Sequence, residues 1–198
     1  MADRAPSSAI QLLGRLAQRQ RDASRFTELE TAVVGVFDQM RGRILRYSLS
    51  FGLPVADAEE ILQEVFLALY QHLSAGKPRE VSCSWLFRVA HNLSLKRRLA
   101  NARSSGDPAL APEPAGRAIE IADPRPNPED QFAFRQRQSH LRAVVAALPE
   151  IDRACLYLRA EGLRYREIAE VLEISLGSVA NSMAKSLARL AAADERLK

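Results

Sequence analysis

At 198 residues the chain has room for one large or two small domains, and with 47% hydrophobic and 26% charged residues it reads as globular, not disordered or fibrous. Its net charge of +4 is compatible with a nucleic-acid partner but is no argument for one, so the distribution of charge matters more than its sum. Two distant cysteines, Cys83 and Cys155, speak against a disulfide framework and a CxxC zinc site, and no apolar run approaches the roughly 18–20 residues that span a bilayer. The expectation is a cytoplasmic protein without signal peptide, membrane insertion, metal or cofactor.

Residues 1–25 read as a polar N-terminal extension carrying Arg15, Arg19, Arg21 and Arg25, with Ile10, Leu12, Leu13 and Leu16 able to form a turn or two of amphipathic helix. Phe26 to about Ser50 has a helical pattern that Phe51-Gly52-Leu53-Pro54 interrupts. An acidic helix follows at about Val55–Ser74. Ala58, Leu62, Val65, Leu69 and Leu73 make its apolar stripe, and Asp57, Glu59, Glu60 and Glu64 are its acids, with no Lys or Arg between Val55 and Gly76. Asp57 and Glu60 lie in the first turns, where the helix dipole favours negative charge. Phe66, Leu67 and Tyr70 lie off the stripe, beside the acids, and call for a second surface to be covered.

After a break at Ala75-Gly76-Lys77-Pro78, a basic helix begins at a cap supplied by Ser82 or Ser84 and runs to about Arg103. Leu86, Val89, Ala90 and Leu93 are its expected buried face. Trp85, Arg88, Asn92, Lys96 and Arg103 recur on another face, and the stretch from Trp85 to Arg103 holds four Arg, one Lys and no acid. Cations, an amide and an aromatic on one face suit phosphate contact with base stacking.

Residues 104–130 hold six prolines, six acids and two arginines, the composition of a tether between domains. From Gln131 the pattern is helical again, with a helix ending at Pro149, another over Ile151–Glu161 closed by Gly162, a short helix at Tyr165–Leu172, a tight turn at Glu173–Ser175 and a longer helix at Leu176–Leu190. Ile168, Ala169 and Leu172 are expected to face Val179, Met183, Leu187 and Leu190, which is helix-turn-helix spacing. The fold class is therefore all-α: two small helical domains, 26–103 and 131–198, joined by a flexible proline-rich linker.

DAEEILQEVFLALYQHL followed by SWLFRVAHNLSLKRR resembles region 2 of a bacterial RNA polymerase sigma factor, and ALPEIDRACLYLRAEGLRYREIAEVLEISLGSVANSMAKSLARL resembles region 4. Two such regions with nothing large between them resemble the extracytoplasmic-function group of the sigma-70 family. The resemblance implies a transcription initiation factor whose partners are core RNA polymerase and promoter DNA, with an anti-sigma factor as a further candidate. It places polymerase docking on Asp57, Glu60, Gln63, Glu64 and Phe66. Melting and reading of the minus-10 element fall on the loop Lys77–Ser84 and on Trp85, Arg88, Asn92, Lys96 and Arg97.

The minus-35 contacts fall on Ser175, Gly177, Ser178, Asn181, Ser182, Lys185 and Arg189. Here the chain departs from the family pattern. Ala180 and Ser182 stand where Lys and Arg are frequent, and Glu173 stands where Gly is common, so fewer cations face DNA. Two alternatives stay open on the residues alone: a helix-turn-helix regulator without sigma activity, and a sigma-like protein-interaction adaptor. No nucleophile motif or phosphate-cradling loop is present, and His72, His91 and His140 lie in different segments, so no catalytic residue is expected.

Overall fold

The computed structural model describes residues 6–75, 82–104 and 128–195; the side chains of 6–25 and 128–133 lie outside that description, as do the break after Ala75, most of the loop Lys77–Ser84 and the proline-rich tether. Among the described residues there are seven helices and no strand: α1 Pro6–Leu49, α2 Val55–Ser74, α3 Cys83–Ser104, α4 Pro128–Ala146, α5 Glu150–Ala160, α6 Tyr165–Leu172 and α7 Leu176–Glu195. The expected short N-terminal amphipathic turn is instead the start of one uninterrupted helix, because no glycine pair or proline breaks the chain between Pro6 and Leu49. Gly52 then takes φ 76°, and the chain turns into α2 before Val55.

The chain forms two compact units. One joins Met1–Met40 with Phe66–Arg79. Within it Phe37 and Phe66 meet edge to face, with ring centroids 4.8 Å apart, and Met40, Phe66 and Leu69 are buried.

The other unit, Arg41–Val65 with Glu80–Lys198, carries two apolar clusters. In the first, Tyr47 is the centre: its ring meets Phe51 and Phe87 edge-on at 5.4 and 5.5 Å, and Ile44, Leu53, Ala58, Ile61, Val65, Leu86 and Ala90 are buried with it. Each large side chain so covered contributes about 1.5–3 kcal/mol. The buried face of α3 runs through Leu86, Phe87 and Ala90, whereas Val89 and Leu93, both expected inside, are only half-buried.

The second cluster is built by α4–α7 and holds Leu148, Ala154, Cys155, Leu158, Leu163, Ile168, Val171, Val179, Met183 and Ala193. Helix α7 packs on α4, α5 and α6. Gly162, at φ 88°, ends α5 in a reverse turn whose backbone donors, Gly162 N–H and Leu163 N–H, reach Arg159 and Leu158 oxygens. Glu173 closes α6 in the same left-handed conformation, at φ 55°, although it has a Cβ. Leu187 is half-exposed and lies outside the apolar contact expected of it, since α7 continues to Glu195 and buries Ala193 in its last turns.

Candidate nucleic-acid and polymerase interfaces

The acids of α2 do not stand free. Arg97 on α3 reaches Asp57 at 3.0 Å and Glu60 at 2.7 Å and lies 3.8 Å from Glu64, while Asn101 donates to the other Asp57 oxygen at 2.6 Å. Helical spacing explains the set: positions 57, 60 and 64 share one side of α2, and 97 and 101 share one side of α3. The Glu60 hydrogen bond, outweighing the cost of desolvation, raises the Arg97 pKa further above its ordinary value.

Asp57 is largely covered, so its carboxylate is taken up inside this network, whereas Glu60 and Glu64 keep half or more of their side-chain surface. Gln63 is exposed. Phe66 corrects an expectation: it is buried, edge-on to Phe37, and the exposed apolar residue on that stretch of α2 is Leu67.

On α3, Asn92 and Lys96 are exposed and Trp85 and Arg88 half-buried. Ser82 Oγ accepts the Trp85 backbone N–H at 3.2 Å, which settles the choice of capping serine. Ser84 is buried and donates to Glu170 of α6 at 2.7 Å. The Arg88 Nε is buried and has no hydrogen-bond partner among the described residues. Arg97 corrects a second expectation: its guanidinium, assigned to DNA from the charge run, is held by the acids of α2.

Helix α7 presents Gly177, Ser178, Asn181, Lys185 and Arg189, all exposed. Ser175 is exposed but occupied: its hydroxyl caps α7 by accepting the Ser178 N–H at 3.0 Å and pairs with the Ser178 hydroxyl at 2.8 Å. Ser182 corrects a third expectation. It is buried, one turn beyond Val179, and hydrogen-bonds to the Cys155 thiol, whose pKa burial pushes up to about 11. The serine is there because a bulky cation would not fit between α5 and α7.

Sequence reasoning missed three carboxylates of α5 and α6 that meet α1 and α3. Glu161 accepts Arg46 Nε at 2.9 Å and Nη2 at 2.8 Å, and its backbone oxygen accepts from Arg43. Glu150 pairs with Arg98, and Glu170 with Ser84. Local spacing carries no signal for such pairs, which join residues 52–115 positions apart or, for Ser84 and Glu170, 86. Among the described residues no group of three or more His, Cys, Asp or Glu could hold a metal ion, and no helix is long and apolar enough to cross a membrane.

A helical bundle bearing an acid-and-cation face, with a helix-turn-helix in the same chain, defines a promoter-recognition protein. Family models agree: Sigma-70 region 2 matches residues 36–104, and Sigma-70, region 4 matches residues 140–190. The chain is 26% identical over 192 residues to the ECF RNA polymerase sigma factor RpoE of Cereibacter sphaeroides, covering 96% of this chain and 97% of that one. To the RNA polymerase sigma factor CnrH of Cupriavidus metallidurans it is 28% identical over 152 residues, 72% and 76% of the two chains.

The fold is shared with CnrH solved in complex with the cytosolic domain of CnrY, at TM-score 0.58 and 19% identity over 86% of this chain and 92% of that one. It is shared also with RpoE in complex with the anti-sigma factor NepR from Bartonella quintana, at TM-score 0.53 and 16% identity over 84% and 94%. The chain belongs to the sigma-70 family, in its extracytoplasmic-function group, and is a transcription initiation factor.

Proposed function

We propose that the exposed part of the α2 acidic face, Glu60, Gln63 and Glu64, docks on core RNA polymerase, and that α3 holds the opened minus-10 strand through Trp85, Arg88, Asn92 and Lys96. Helix α7 then meets the minus-35 duplex through Ser178, Asn181, Lys185 and Arg189, with the backbone amides around Gly177 near a phosphate. The observation that carries this reading is the separation of exposed acids on α2 from exposed Asn92 and Lys96 on α3, with Arg97 joining the two helices between them. Acids on one rod orient a protein partner, and cations on the next neutralise phosphates. The work is that of a cytoplasmic binding factor, not an enzyme.

With only Lys185 and Arg189 as cations among the α7 contacts, duplex binding by that helix alone is weak, and selection of the minus-10 strand carries more of the promoter choice. An anti-sigma factor is the natural regulator, since the RpoE of similar fold is held by one named NepR.

The test compares two variants with purified core polymerase. Glu64→Lys weakens association with core polymerase by about fivefold to tenfold, as loss of one exposed steering charge does, with unchanged thermal stability. Asn92→Ala combined with Lys96→Ala leaves that association intact but reduces permanganate reactivity of the opened promoter strand. Unchanged polymerase affinity in the first variant, or full strand opening in the second, removes the corresponding assignment.

A further inference from the structure

Three contacts fasten α5 and α6 to α1 and α3, and each uses a carboxylate from the helix-turn-helix half. Glu161, at the end of α5, has a side chain only 11% exposed. It is gripped by Arg46 through two hydrogen bonds, while its backbone oxygen accepts from Arg43. Arg43 is held in turn over the Phe87 ring at 5.4 Å, so its guanidinium sits between an aromatic of α3 and the end of α5. Glu150, at the start of α5, takes Arg98, which lies over the Phe51 ring. Glu170 of α6 accepts the buried hydroxyl of Ser84, in the first turn of α3.

Helix α6 therefore lies along α3, and Ser84, the residue Glu170 engages, precedes Trp85 by one position and Arg88 by four. A carboxylate at that place repels the phosphates of an incoming strand. The covering also leaves the Arg88 Nε buried, with no hydrogen-bond partner among the described residues. A donor sealed off in this way is unfavourable, and α3 regains a partner for it once α6 leaves. The contact is polar, with Arg46 more than half exposed, and is suited to release more than to permanence.

We propose that this arrangement is an autoinhibited state: Glu150, Glu161 and Glu170 latch the helix-turn-helix half onto α3 and withhold the strand-binding face until the latch opens. The inference rests on the reading of α3 as the minus-10 strand holder. Polymerase and open promoter DNA both favour the open state, because each needs a surface that the latch covers or constrains.

The test uses the full chain without polymerase, in four forms: wild type, Glu161→Arg, Arg46→Glu, and the two changes combined. Two readouts are taken for each, the radius of gyration by small-angle X-ray scattering and the affinity for a fluorescein-labelled, mixed-sequence single DNA strand. Each single reversal places like charges together, so both expand the particle and raise strand affinity by about fivefold or more. The combined variant restores the pair and returns both readouts towards wild type, which also shows that the reversed residues permit folding.

The two single changes alter net charge in opposite directions. If affinity simply follows charge, rising for Glu161→Arg and falling for Arg46→Glu, the latch is refuted. An unchanged radius in both single variants refutes it as well. Expansion with no gain in affinity refutes the inhibitory role. Expansion in which no form retains the strand refutes the reading of α3 itself.

Discussion

Tyr47 and His91 show how a single polar pair is tolerated at the centre of an apolar cluster. The phenol is fully buried, burial drives its pKa far above the ordinary tyrosine range, and its hydroxyl meets His91 Nδ1 at 2.8 Å. With the imidazole proton on Nε2, the ring accepts that hydroxyl, and the neutral form is the one the site favours. Burial lowers the His91 pKa below 6.5; Glu150 pulls it back up and Arg98 adds to the lowering.

The unfolded chain thus takes up the proton first as pH falls. The stability from this site is fully present above about pH 6.5 and is lost as pH drops from there through the folded pKa. His91→Asn keeps an acceptor near the hydroxyl and removes the titration. Thermal melts between pH 7 and pH 5 are therefore expected to fall less steeply for the variant than for the wild type. The difference is about 1.4 kcal/mol of stability for every tenfold by which folding weakens the imidazole's hold on its proton.

At the scale of elements, α2, α3, α6 and α7 were legible because their apolar periodicity, breaks and charge runs are local properties of the chain. Val55–Ser74 and Tyr165–Leu172 begin and end where Pro54, Gly162 and the turn at Glu173–Ser175 require. The fine register was less legible. Ile61 is buried in place of the expected Leu62, and Phe66 turns inward, because a helix with apolar residues on two sides does not say which side meets Phe37. Ser182 falls on DNA by alignment with a motif, and only its neighbours in α5 reveal it as a filler. Asp57 and Arg97 each look outward in the sequence; what is invisible there is that residues forty apart hold each other.

The α6–α7 turn carries its own prediction. Left-handed backbone costs a residue with a Cβ about 1–2 kcal/mol. A glycine there would lose roughly 0.5–1 kcal/mol of that gain to its freer unfolded chain. Glu173→Gly is thus expected to raise stability by about 0.5–1 kcal/mol, read as a higher melting temperature. It also removes an acid just before the helix assigned to the minus-35 groove, so affinity for a mixed-sequence duplex rises about twofold to fivefold, read by fluorescence anisotropy.

For the whole molecule, salt acts on two equilibria at once. It weakens strand binding in proportion to the phosphates neutralised, and it loosens the partly exposed Arg46–Glu161 pair that holds the closed state. The first effect lowers apparent affinity and the second raises it. A logarithmic plot of strand affinity against salt is therefore expected to be shallow for the wild type below about 0.1 M, where screening first reaches the pair, and to steepen above it. The Glu161→Arg variant, already open, follows one straight line across the range. Parallel plots for the two forms would separate the closed arrangement from the binding equilibrium. The mild net charge of +4 is consistent with a chain whose grip on DNA is conditional: acids placed at 150, 161 and 170 offset cations inside the molecule before any partner arrives.

The left-handed glutamate between α6 and α7 has a consequence for how such a chain can change over generations. Both glutamate codons become glycine codons by one base substitution, so a stiffer turn and a firmer hold on upstream promoter sequence lie a single mutational step away. Lineages under pressure to widen or strengthen their set of target genes would find that step without disturbing the packed interior. The position is where we expect repeated, independent replacement in laboratory selections for higher output.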